Sequence, residues 1–400
     1  MTTAAVGTHR EVRSAVRATY VAFIGAGFPI ASWAARIPQI RDGLGLTPSQ
    51  LGLVLLAIAA GSIVALPLAG QIVTHLGSRR TVAAMAGLLG VSLSAAAVGY
   101  QYGVAPVVVG LALFGFANGA WDVAMNVQGA IVERRLGRAI MPRFHAGFSV
   151  GTVAGALVGT AAVAVGVPVT AHLVAAALIV AVAVIAAVRA FVPDDSDETA
   201  PVPDDVAAES GLRRTLTAWS EKRTILVGIF VLAFAFTEGT GLDWINVAVI
   251  DNYGASATVG TLAFALFLAA MTTGRWFGPR LLDRYGRVLV VRALAVLGLI
   301  GIGLFVFGPH PTMAFAGVLC WGLGASLGFP VGMSAAADEP ARAPARVSVV
   351  ASIGYCAFLG GPPLIGFLGD HLTVRRALLV VTVLLIISIA VAGAIRPLRR

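Results

Sequence analysis

Apolar residues run along this chain in blocks of about 20, long enough for a helix rising about 1.5 Å per residue to cross a bilayer core. Twelve such blocks are predicted, near residues 17–36, 50–70, 81–101, 105–132, 144–166, 169–190, 224–250, 258–278, 288–308, 311–335, 347–368 and 374–395. A helix satisfies its own backbone hydrogen bonds in lipid, so the pattern predicts an all-α membrane protein. The polar breaks are short except at 191–223, which separates an N-terminal six-helix bundle, 1–190, from a C-terminal one, 224–400. That break opens with Pro193, Asp194, Asp195, Asp197 and Glu198 and continues through Asp204, Asp205 and Glu209, a composition expected of a solvated tether. Leu212, Leu216 and Trp219 among Arg213, Arg214 and Lys222 then predict a short amphipathic helix lying on the membrane.

A few polar residues interrupt the apolar blocks. The stretch Thr237-Glu238-Gly239-Thr240-Gly241-Leu242-Asp243-Trp244 puts two carboxylates in one span. A charged side chain near the bilayer centre costs on the order of 2.5–3.5 kcal/mol, so such residues point to function. Gly239 and Gly241 are expected to bend or unwind the helix there. Glu238 and Asp243 are five residues apart, about 140° around a straight helix, and so define two separate sites. Burial favours a neutral carboxyl group and contact with water favours an ionised one, the chemistry that proton coupling requires. Glu238, nearer mid-membrane, is the leading coupling candidate, with Asp122 or Asp243 as a second. Asn118, Asp122 and Asn126, spaced by four, share one helix face, which must meet protein or a water-filled cavity. Asp122 then serves as a proton or cation site, or the stripe only bonds helices together, or Asp122 is paired permanently with a buried arginine.

Arg36 and Arg275 lie late in their spans, where long arginines are expected to snorkel. The alternative is anion binding or carboxylate pairing, with Arg36 beside Asp243. His145 opens span five, as a structural group or a proton relay. Trp33, Trp121, Trp244 and Tyr355 line a cavity or serve as anchors and packing. With Arg36, Asn118, Asn126, His145 and Asn246 they complete the candidate substrate cavity. Gly151, Gly155 and Gly159 form a small-residue face on span five, and Gly360-Gly361-Pro362-Pro363 predicts a kink in span eleven.

Composition narrows the class. The 400 residues are 58% hydrophobic and 12% charged, against roughly 45–50% apolar in soluble domains. A net charge of +9 would suggest nucleic acid in a soluble protein, but here topology accounts for it. With the N-terminus in the cytoplasm, 23 of the 28 Lys and Arg residues fall on that side and only Arg36, Arg41, Arg375 and Arg376 outside. Both termini are therefore expected inside, with the first helix retained rather than cleaved as a signal. Lys222 is the only lysine, which excludes a G-K-[ST] phosphate loop and an intramembrane Schiff-base lysine. No metal-ligand spacing is present, Cys320 and Cys356 read as free thiols, and neither a cofactor nor a metal is expected.

The halves also repeat. Phe114-Gly115 answers to Trp321-Gly322, Gly77 to Gly286, and Ser149-Val150-Gly151 to Ser352-Ile353-Gly354, all offset by about 203–209 residues. Such repeats predict two pseudo-symmetric bundles and a site at their interface.

The loop Asp283-Arg284-Tyr285-Gly286-Arg287 after span eight resembles the loop motif of the major facilitator superfamily. Its copy after span two, Gly70 to Arg80, keeps Gly77 and Arg79 but has Thr74 and His75 at the aspartate and arginine positions. The resemblance implies a twelve-helix secondary transporter. It also implies a cytoplasmic gate built from Gly77, Arg79, Asp283, Arg284, Gly286 and Arg287, with Asp283 carrying the latch that Thr74 cannot. More narrowly, Trp33-Ala34-Ala35-Arg36-Ile37-Pro38, the stretch from Asn118 to Asn126, Glu238 to Trp244, and Phe358 to Pro363 resemble the YbjJ-like branch. The implied function is alternating-access transport of a small organic molecule across a bacterial cytoplasmic membrane, by a monomer that exports its solute in exchange for protons. Proton-linked uptake of a sugar-like or nucleoside-like solute is the alternative. A non-transporting sensor would need a partner-binding domain, and only the 191–223 break has the length.

Overall fold

The computed structural model describes residues 2–137, 140–194, 211–339 and 342–398. Among them every regular element is helical. The chain divides into two compact units, Met1–Asp197 and Glu198–Arg400. The first holds α1 (Thr2–Ala34), α2 (Ile37–Leu44), α3 (Pro48–Gly99), α4 (Val104–Leu136), α5 (Met141–Ala164) and α6 (Val169–Ala187). The second holds α7 (Gly211–Ser220), α8 (Lys222–Tyr253), α9 (Ala257–Tyr285), α10 (Arg287–Phe307) and α11 (Pro311–Ala325). It continues with α12 (Gly328–Ala336), α13 (Ala343–His371), α14 (Val374–Ala377) and α15 (Val380–Val391).

Eleven helical segments among the described residues are long and apolar enough to cross a membrane. One of them, α3, has 52 residues and carries the second and third crossings of the sequence reading. Gly77 divides it, with φ 78° and ψ 158°. Gly286, between α9 and α10, has the same angles. That region is essentially closed to residues with a side chain, which is why glycine occupies both turns.

The repeat is visible in packing as well. A Cβ on Gly115 would lie 2.0 Å from the Ile58 carbonyl oxygen, and one on Gly322 would lie 2.5 Å from that of Phe267. In each unit the backbones of α3 and α4, or of α9 and α11, therefore meet at corresponding glycines. Gly151 and Gly155 of α5 make the same approach to Ile24 and Phe28 of α1.

Three local expectations need correction. First, α8 stays helical through Gly239 and Gly241. These glycines make room for aromatic rings: a Cβ on Gly241 would meet the Phe267 ring at 2.4 Å, and one on Gly239 the Phe358 ring at 3.2 Å. Second, span ten breaks at Ser326-Leu327 into α11 and α12. Pro330, four residues after Ser326, has no N–H to give the Ser326 carbonyl, so the helix loses a bond there. Third, Asp194 is not part of a solvated tether. Its carboxylate accepts from the Ser78 backbone N–H and hydroxyl. Beside it the Gln128 amide donates to the Val192 carbonyl (3.1 Å) and accepts from its N–H (3.0 Å). The chain leaving α6 is thus fastened to the Gly77 turn. The acidic run at 195–210 lies outside the described residues. In α7, Ala218 is buried while Leu216 and Trp219 are exposed, as an amphipathic helix requires.

Candidate functional site

The polar centre of the second unit is assembled by three elements. Glu238 sits midway along α8, and Arg275 reaches it from α9. Arg275 Nη2 lies 2.8 Å from Glu238 Oε1 and 2.7 Å from Oε2. Its Nε donates to the Ser326 carbonyl at 3.2 Å, the oxygen that Pro330 leaves without its helical donor. One residue before Glu238, the Thr237 carbonyl accepts from Trp321 Nε1 at 3.1 Å. The carboxylate is held on two oxygens, the guanidinium on two edges, and the backbone beside them is fixed. The Arg275 and Glu238 side chains retain 26% and 16% of their exposure, so the pair is not sealed.

Five residues on, Asp243 is half-buried and has neither a hydrogen bond nor an ion pair among the described residues. In the first unit, Asn118, Asp122 and Asn126 are half-buried on one face of α4. Asn126 Nδ2 donates to the Asp122 carbonyl (2.8 Å) and to Asp122 Oδ1 (3.3 Å). Asn118 Oδ1 is buried without a partner. No cation among the described residues pairs with Asp122.

The profile of the Major Facilitator Superfamily matches residues 18–356 and 244–400. The chain belongs to this family. It is a multi-pass membrane transporter. An uncharacterised MFS-type transporter of Yersinia pestis is 31% identical over 379 residues, covering 94% of each chain. The fold matches the solved nucleoside transporter NupG, with TM-score 0.74 and 15% identity over 96% of this chain and 98% of that one. It also matches a point variant of the E. coli fucose:proton symporter FucP, with TM-score 0.64 and 15% identity over 94% and 98%. Both establish the fold of this transporter.

The remaining candidates separate into groups. Arg36 does not snorkel. It is 3% exposed, its Nε bonded to His172 Nδ1 and its Nη2 to the Val167 carbonyl, each at 3.0 Å. Trp33, Trp121, Trp244 and Asn246 are buried. His145 is exposed, edge-on to Phe23 at 5.2 Å. Tyr355 is half-buried, 6.2 Å from the Phe358 ring.

In the facilitator loop motif, Arg79, Asp283 and Arg284 are exposed. Asp283 makes no ion pair among the described residues. Arg287 pairs instead with Asp338, 2.7 Å away, which also takes Arg223 at 2.8 Å. Glu221, just before α8, receives Arg346 at 2.6 Å and Thr224 at 2.7 Å. Burial alone would push the Glu221 carboxyl up. The hydrogen bonds from Arg346 and Thr224, with the charges of Arg346 and Arg342, outweigh it and hold the group below the usual carboxylate range. This cluster ties α8 to the ends of α10, α12 and α13. Sequence reasoning missed it, because its members lie in different loops with no motif spacing. Ser326 was missed as well, and Pro330 four residues on was the signal that could have found it.

Proposed function

We propose that this facilitator moves a small organic solute across a bacterial cytoplasmic membrane by alternating access, with both termini inside and the proton as its counter-ion. Residues 1–190 and 224–400 form the two bundles, joined through 191–223. The observation that carries the reading is the contact of Arg275 Nη2 with both carboxylate oxygens of Glu238, midway along α8. A charged side chain at that depth is retained for a task. A proton reaching a Glu238 oxygen cancels the charge that holds Arg275, while the guanidinium keeps its bond to the Ser326 carbonyl. The pair thus has a closed arrangement with both groups charged and a released one with Glu238 neutral and Arg275 still cationic, and a proton selects between them. A proton is also the co-substrate of FucP, a fucose:proton symporter.

Export by antiport is the preferred direction, because Asp122 and Asp243, without cationic partners, can take a proton or a ligand in turn. The test uses proteoliposomes and a solute found by thermal-shift screening. Under antiport, an acid vesicle interior drives solute accumulation. Accumulation driven by an acid exterior would reverse the direction, and no response to either gradient would remove proton coupling.

A further inference from the structure

The charges in the described spans do not balance in the way an anion site would need. Arg275 is committed to Glu238 and the Ser326 carbonyl. Arg36 is buried against His172 and Val167. Asp122, midway along α4, and Asp243 of α8 are carboxylates without a partner of opposite sign among the described residues. Asp122 receives one neutral donor, Asn126 Nδ2. One helical turn before it, Asn118 Oδ1 is buried and receives none. A carbonyl-type oxygen left open in this way has lost its hydrogen bonds to water without replacement, and a ligand's N–H would supply one. The indole N–H groups of Trp33, Trp121 and Trp244 are also unpaired. They are neutral, on side chains no more than 3% exposed, and cannot compensate a carboxylate.

We propose that the transported solute carries a protonated amine, whose N–H groups are accepted by the Asp122 carboxylate and Asn118 Oδ1. This inference rests on the transporter reading above and names its substrate class. A neutral polyol would leave the carboxylate uncompensated. An anion would meet the Asp122 carboxylate with Arg36 and Arg275 both engaged elsewhere. An ammonium satisfies both open acceptors and the charge with one group.

The test is binding at fixed pH, without a gradient, by the intact protein in lipid nanodiscs. The probes are two matched sets: glucosamine, glucose and glucuronate, then ethanolamine, ethylene glycol and glycolate. Thermal shift and calorimetry should show the amine of at least one set binding about tenfold or more tighter than its neutral and acidic counterparts. Asp122→Asn should abolish that preference, Asn118→Ala should weaken it, and Asp122→Glu should keep it, which separates a lost charge from a lost fold. The proposal is overturned if no amine binds, if a neutral or acidic member binds as well, or if Asp122→Asn retains the preference. Failure of proton coupling at Glu238 would leave these binding results untouched, so the two readings fail separately.

Discussion

Arg275 of α9 closes on Glu238 of α8 with one nitrogen, Nη2, between both carboxylate oxygens at 2.8 and 2.7 Å. Truncating one partner of such a pair exposes the other to an apolar setting. Glu238→Gln should therefore destabilise the protein by about 1–3 kcal/mol, below the cost of breaking a fully buried pair because both side chains keep some solvent. Replacing both, as Glu238→Gln with Arg275→Gln, should recover about half of that loss or more. Denaturation of the three variants in one detergent measures it. If the double variant is as unstable as the sum of the singles, the residues do not act as a pair.

Gly286 presents a separate test of backbone geometry. A Cβ there meets nothing within 4 Å, so any loss on Gly286→Ala comes from φ 78° and ψ 158° alone. The expected cost is about 1–3 kcal/mol. Gly77→Ala should cost more, because its Cβ would also lie 3.2 Å from Asp194 Oδ2. Thermal unfolding with equal loss at both positions would contradict the role given to Asp194.

The fastening of Asp194 to Ser78 acts as a helix cap, since the Ser78 N–H opens the second half of α3. Asp194→Ala should lower stability by about 1 kcal/mol, and Ser78→Ala should add little in the Asp194→Ala background. Limited proteolysis after residue 194 should accelerate in both single variants. Unchanged cleavage would mean that the segment is held by Gln128 and Val192 without it.

Acid dependence follows from Glu221. Its folded carboxyl is held below the usual range, so the unfolded chain binds the proton more readily. The stabilisation is present above the unfolded pKa, near 4.3, and is lost as pH falls through the lower folded value. Melting temperatures from about pH 6 down to about pH 3 should fall less steeply in Glu221→Gln than in the wild type. Parallel curves would place the acid sensitivity elsewhere.

Much of the architecture was legible from apolar block length alone, because lipid leaves a helix as the only spanning solution. The Gly77 and Gly286 turns were legible too, since few residues other than glycine reach those angles. Side-chain pairing was not. Arg275 looked like a snorkelling residue because periodicity records distance from a helix end and says nothing of the neighbouring helix. Asp194 looked like tether because its partners lie more than 60 positions back, at Ser78 and in the Gln128 layer. Gly239 and Gly241 suggested unwinding, and only the Phe267 and Phe358 rings show that they were accommodating neighbours.

The most direct test of the coupling role is solute flux in proteoliposomes carrying wild type or Glu238→Gln. The wild type should accumulate solute when a pH gradient is imposed and should also exchange labelled for unlabelled solute with no gradient. Glu238→Gln should keep the exchange and lose the response to the gradient. If both proteins respond to the gradient alike, Glu238 does not couple transport to protons.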